Sequence, residues 1–139
     1  MRQYRSVQHS AVAGLMKFLV MSMLVLMSSH VMADDVARSG SFTGLNNHAT
    51  QGTASIVKEE SGYFIVLADD FEFDGAPDPK VALGKDGEYD PSTLIELLRS
   101  NSGAQKYAVP AGIDVSEFNE IYIWCEKFSV GLGVAALSD

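Results

Sequence analysis

The chain of 139 residues carries 18 acidic against 10 basic side chains, a formal net charge of −8, with one cysteine, one tryptophan and three histidines. That acidity disfavours nucleic acid and anionic membrane surfaces as partners. A single cysteine excludes an internal disulfide framework, an iron–sulfur cluster, covalent haem attachment through Cys-x-x-Cys-His, and a structural zinc site of Cys and His ligands.

Residues 1–33 read as a secretory signal peptide. Arg2, Arg5 and Lys17 precede the apolar run Phe18 to Met27, and Val31-Met32-Ala33 supplies the small or modest residues a signal peptidase reads, so cleavage is expected after Ala33. The apolar run of about 10 residues falls short of the about 20 needed to cross a bilayer, which leaves membrane attachment only to an uncleaved signal. The expected product is a secreted or periplasmic domain of residues 34–139, with 18 acidic against 7 basic residues, a net of −11. It keeps one histidine, His48, so a blue-copper site, which needs two beside its cysteine, is excluded as well. An unpaired cysteine in an exported chain is either a buried, inert thiol or one that pairs with, binds or reacts with something outside the chain, an intermolecular disulfide included.

Asp34 to Ser39 is short and polar and reads as a disordered lead-in. Gly40 to Gly44 reads as a brief strand around Phe42. Thr50 to Glu59 and Tyr63 to Asp69 form a hairpin across Glu60-Ser61-Gly62, and Phe71 and Phe73 carry the alternation on past a kink. Pro77-Asp78-Pro79 stops it, because proline cannot sit inside a central strand. Lys80 to Leu83 is a short strand with Val81 and Leu83 inward, and Gly84 to Asp90 a polar loop. Asp90-Pro91-Ser92 leading into Thr93 to Leu98 reads as a capped short helix or else a strand, the helix preferred. Gln105 to Val109 is a strand ended by Pro110. Asp114 to Asn119 is a helical turn, with Asp114 capping and Glu117 completing a capping box.

Glu120 to Cys125 alternates, placing Ile121, Ile123 and Cys125 on one face of a strand and Tyr122, Trp124 and Glu126 on the other. Phe128, Val130 and Leu132 have the opposite parity, which requires a bulge or tight turn near Lys127 if both sets face one core. Phe128 to Leu137 is the antiparallel neighbour. About seven or eight short strands punctuated by glycine and proline predict an all-β fold, an antiparallel β-sandwich or partly open barrel with one or two helical turns.

Cys125 is the residue with most chemistry to offer, as a redox thiol or as a small core hydrophobe. Lys127 is the local cation that would favour its thiolate, and Glu126 opposes it. His48, in the polar turn Asn46-Asn47-His48, is either solvated or a ligand. The string Asp69-Asp70-x-Glu72-x-Asp74-Gly75-x-x-Asp78 offers hard oxygen ligands of the kind calcium takes, or else a solvated acidic strand edge. No Gly-x-Ser-x-Gly elbow is present to support a hydrolase.

Several ordered motifs carry a resemblance. Gly40-x-Phe42, His48-x-x-x-Gly52-x-Ala54, Leu67-x-x-Asp70-Phe71, Gly75-x-Pro77-Asp78, Val81-x-Leu83, Gly103-x-Gln105-x-Tyr107-x-Val109-Pro110 and Ile123-Trp124-Cys125-x-x-Phe128 together resemble the electron-transfer DM-thirteen domain family over about residues 38 to 138. The resemblance implies an extracytoplasmic β domain with a redox or electron-transfer role. Its signature cysteine, which maps onto Cys125, acts there as a bare thiol or as ligand to a prosthetic group such as haem, with Trp124, Lys127 and Phe128 around it. Larger members carry companion redox modules, so an extracytoplasmic redox partner protein is expected. The alternative expectation is a non-catalytic adhesion or ligand-binding module assisted by calcium at Asp69 to Asp78, and a third is a structural domain with Cys125 as packing.

Overall fold

The computed structural model describes residues 35–139, and the expected signal peptide lies outside the described residues. The strands are β1 (Asp35–Gly44), β2 (Thr50–Gln51), β3 (Thr53–Glu59), β4 (Gly62–Leu67), β5 (Glu72–Phe73), β6 (Pro79–Lys85), β7 (Glu88–Tyr89), β8 (Glu96–Leu97), β9 (Gln105–Ala108), β10 (Glu120–Cys125) and β11 (Val130–Ala136). Eight of them form one antiparallel sheet in the order β7-β6-β10-β11-β1-β3-β4-β9, which curls into a half-barrel. β8 pairs with β6 beside this path, and β2 with β5 forms a separate small ribbon. Of the two all-β architectures expected from sequence, the partly open barrel is the one observed.

The inward residues follow the alternation. Ala54 and Ile56 on β3, Ile65 and Leu67 on β4, Val81 and Leu83 on β6, and Ile121 and Ile123 on β10 are all fully buried in one core with Phe71 and Tyr107. Burying such branched side chains contributes about 1.5–3 kcal/mol each, the largest favourable term in a domain of this size. The β3–β4 hairpin forms as expected, Glu59 opposite Gly62.

Besides Gly84 to Asp90, expected as a polar loop but carrying the end of β6 and all of β7 around a two-residue turn, three segments depart from expectation. The polar stretch before Gly40 belongs to β1, with Arg38 opposite Ile56 and Ser39 opposite Ser55. Its place comes from backbone pairing and from the Arg38 guanidinium, which donates to the carbonyls of Phe118 (2.5 Å) and Val115 (2.6 Å). The expected strand Thr50 to Glu59 is cut at Gly52, whose φ of +100° and 2.5 Å approach to the Asp70 carbonyl, measured from a Cβ built there, leave no room for a side chain. The third is Thr93 to Leu98, which is not a helix. Asp90 caps only the 3-10 turn Pro91–Thr93. Buried Thr93 then exchanges hydrogen bonds with both backbone groups of Leu83 (2.9 Å each), docking the chain on β6 so that it continues as β8.

The turn at 115–117 does form. Asp114 accepts from the Ser116 amide at 3.0 Å.

Candidate functional site

β10 lies between β6 and β11. Its inner face carries Ile121, Ile123 and Cys125 and its outer face Tyr122 and Trp124, as the alternation requires. The parity problem beyond Cys125 is solved twice. Glu126 to Ser129 makes a tight turn, closed by the Ser129 amide donating to the Glu126 carbonyl (3.3 Å) with Ser129 at φ +48°. A bulge in β11 then sets Gly133 opposite Ile123 but Gly131 opposite Trp124, leaving Leu132 as the extra, buried residue. Phe128 is thereby thrown outward, 61% exposed, and does not join the core.

Cys125 ends the strand, opposite Pro79 on β6 and Val130 on β11. It is 1% exposed and packs within the hydrophobic core. Just past it the backbone is clamped by Asp78, whose carbonyl accepts from the Glu126 amide (3.3 Å) and whose carboxylate accepts from the Lys127 amide (3.1 Å). Lys127, expected from sequence to attend the thiol, instead sets its ammonium 5.5 Å from the centre of the Phe128 ring. Lys80 is held by Glu126 (2.9 Å) and Asp78 (3.6 Å), which keep its ammonium protonated above the usual range. No cation is thus shown bound to the sulfur. Haem ligation needs an open slot against the ligand atom, and the Cys125 side chain is closed in by the core at 1% exposure. The packing around Cys125 does not fit a haem ligated there.

The outer face is organised differently. Tyr89, reaching over from β7, stacks on Trp124 with ring centres 3.9 Å apart and planes 13° off parallel. Tyr122 meets both edge-on, at 6.5 Å from Trp124 and 6.3 Å from Tyr89. Gly84 makes room for this: a Cβ there would lie 2.4 Å from the Tyr122 ring, whereas one on Gly131 would sit in ordinary contact with the indole at 3.7 Å. Burial, reinforced by the carboxylates of Glu120 and Glu88, pushes the Tyr122 hydroxyl up to about 12, and burial raises Tyr89 as well. The rings border an open groove of about 620 Å3, with Leu45 and Val134 on its walls. Sequence reading placed Trp124 and Tyr122 on this face but missed Tyr89. The signal for it was Tyr89 standing just beyond Asp86-Gly87, a hairpin turn with both residues at positive φ.

The remaining candidates are dispersed. His48 Nδ1 pairs with Asp74 Oδ1 at 2.9 Å, and its ring tilts against Phe73 at 5.9 Å. This pairing orients the imidazole as a carboxylate-supported histidine would be oriented. Asp74 also accepts from the Ala49 amide (3.0 Å); Asp70 accepts from the Thr53 amide (2.8 Å) and hydroxyl (2.9 Å), and Glu72 from Gln51 (2.6 Å). Those bonds hold the carboxyls of Asp70 and Asp74 below their ordinary range. Asp69 is exposed and Asp78 is the clamp already described. Among the described residues no group of three or more such side chains is gathered as a metal site.

Fold and site together define a small half-barrel domain in which one strand separates a sealed cysteine from an accessible aromatic cluster. The family described as Electron transfer DM13 matches residues 41–137, and the chain belongs to that family. Membership gives it a redox or electron-transfer role. No curated protein and no solved structure matches the chain.

Proposed function

We propose that this is an exported accessory domain that exchanges electrons with an extracytoplasmic redox partner, with β10 as its working element and Cys125 as a redox group shielded from direct attack. The family match over residues 41–137 carries the reading. Burial of Cys125 refines it. Thiol–disulfide exchange needs a thiolate that an incoming sulfur can touch, and a side chain 1% exposed offers none in the closed fold. Electron exchange needs no such contact, because an electron crosses a strand without the reacting groups meeting; oxidation of the thiol to a thiyl radical releases its proton to solvent and reduction takes one back.

The test is protein-film voltammetry of residues 34–139 beside its Cys125→Ser variant, paired with thiol labelling in native buffer. A reversible wave lost in Cys125→Ser, with labelling slow until the protein unfolds, is the expected pair of results. A silent wild-type electrode response removes the electron-transfer reading, and an unchanged wave in Cys125→Ser removes the cysteine from it.

A further inference from the structure

We propose that Tyr89, Trp124 and Tyr122 form a charge relay on the outer face of β10, in which Trp124 exchanges an electron with the partner and Tyr122 holds the oxidising equivalent, its proton passing to Glu120. The proposal rests on the electron-transfer reading and deepens it, without depending on Cys125.

Tryptophan and tyrosine are, after cysteine, the side chains most readily oxidised by one electron, and here three of them touch one another. The Tyr89–Trp124 stack at 3.9 Å and 13° gives the overlap that lets two rings share a positive charge. Tyr122 at 6.5 Å from Trp124 is close enough for the next transfer, since tunnelling falls off exponentially with separation. The cluster is not the domain's core, which lies on the opposite side of β10. Gly84 on β6 is bare where a Cβ would lie 2.4 Å from the Tyr122 ring, so the ring can lie against the sheet. The groove of about 620 Å3 opens onto them, with Trp124 and Tyr89 partly exposed and Tyr122 only 4% exposed.

The steps balance. Trp124 gives one electron to a high-potential one-electron oxidant on the partner and becomes an indole radical cation. Tyr122 then returns an electron to the indole and its phenolic proton to the Glu120 carboxylate, leaving a neutral tyrosyl radical and a neutral carboxylic acid. Reduction reverses both. Tyr122 keeps its proton up to about pH 12, so at neutral pH electron and proton must leave together and a base must already be in place. Glu120 is placed to be that base: it stands two residues from Tyr122 on the same face of β10, lines the same groove, and has its carboxylate fixed by the Gly87 amide at 3.0 Å from each oxygen.

The experiment is flash-quench oxidation of residues 34–139 by photogenerated tris(bipyridine)ruthenium(III), reading indole and tyrosyl radicals by their transient absorption. An indole signal should appear first and convert to a tyrosyl signal. Tyr122→Phe, which keeps the ring, should abolish the tyrosyl signal and prolong the indole one. Glu120→Gln should slow the conversion roughly a hundredfold, the scale of a lost proton acceptor. Tyr63→Phe, on β4, should change nothing. Tyrosyl formation unaffected by Tyr122→Phe, or conversion unslowed in Glu120→Gln, overturns the relay while leaving the electron-transfer reading standing. Absence of any protein radical overturns the relay, while the electron-transfer reading stands or falls by the voltammetry of the wild-type domain.

Discussion

Trp124 and Cys125 are consecutive on β10 and look to opposite sides of the sheet, the indole stacked on Tyr89 in a groove and the thiol closed in with the isoleucines. One peptide unit therefore separates a group that a partner can approach from one that it cannot, and substitutions at the two positions should have separable effects.

At Cys125 the effect is first on stability. Truncation to alanine leaves a small void and should cost about 1–2 kcal/mol in urea unfolding. Serine should cost more, because its hydroxyl is buried without a provided partner, a penalty of about 1–3 kcal/mol. If Cys125→Ser is as stable as wild type, the thiol is not packed as described.

Asp70 makes stability depend on pH in the acid range. Its carboxyl is held low chiefly by the Thr53 amide and then the Thr53 hydroxyl, so the folded state binds this proton less readily than the unfolded chain. The contribution is fully present above the unfolded value of about 4 and is lost as pH falls through the lower folded value. Asp70→Asn, measured by melting temperature from pH 6 to pH 2, should flatten that decline. An identical profile would show that the Thr53 bonds do not form in solution.

Tyr122 acts at the other end of the scale. With its hydroxyl pushed up to about 12, phenolate formation followed by ultraviolet absorbance should be biphasic. Because the folded pKa is raised, its stabilising contribution is complete below the unfolded value of about 10 and is lost as pH rises through about 12. Burial is the larger cause and the carboxylates the smaller, so Glu120→Gln should bring the late phase only part of the way back.

Gly84 and Gly131 differ in what an added methyl would meet. Gly84→Ala collides with the rigid Tyr122 ring at 2.4 Å and the Glu88 carbonyl at 2.5 Å and should cost about 1–3 kcal/mol. Gly131→Ala has its tightest contact with Leu45 Cδ1 at 2.9 Å, the end of a flexible side chain. It should cost under about 1 kcal/mol. Equal losses in chemical denaturation would mean that the aromatic layer is not seated on Gly84.

Much of this was legible in the sequence because period-two alternation is a local property. It placed Cys125 with the isoleucines and Trp124 opposite them, and it required the irregularity that the turn at Glu126 to Ser129 and the β11 bulge supply. What it missed depended on partners distant in the chain. Arg38 is anchored by carbonyls near residue 115, and Thr93 by Leu83, so neither the true start of β1 nor the strand after Pro91 could be read from composition. Phe128 was expected inward from parity alone, but a hairpin tip has no facing strand to enclose a ring. Tyr89 was missed because its stacking partner stands two strands away, across β6.

The strand order has a further consequence for how the domain comes into being. β11 sits between β10 and β1, so the half-sheet β1-β3-β4-β9 and the half-sheet β7-β6-β10 are joined strand to strand only through it. A nascent polypeptide lacking residues 130–136 holds two unjoined pieces with bare facing edges, and the long-range pairing that unites them makes closure slow. Folding is therefore a late, all-at-once event, and a helper that shields those edges during synthesis would act on the pieces and have nothing to grip once β11 has slotted in.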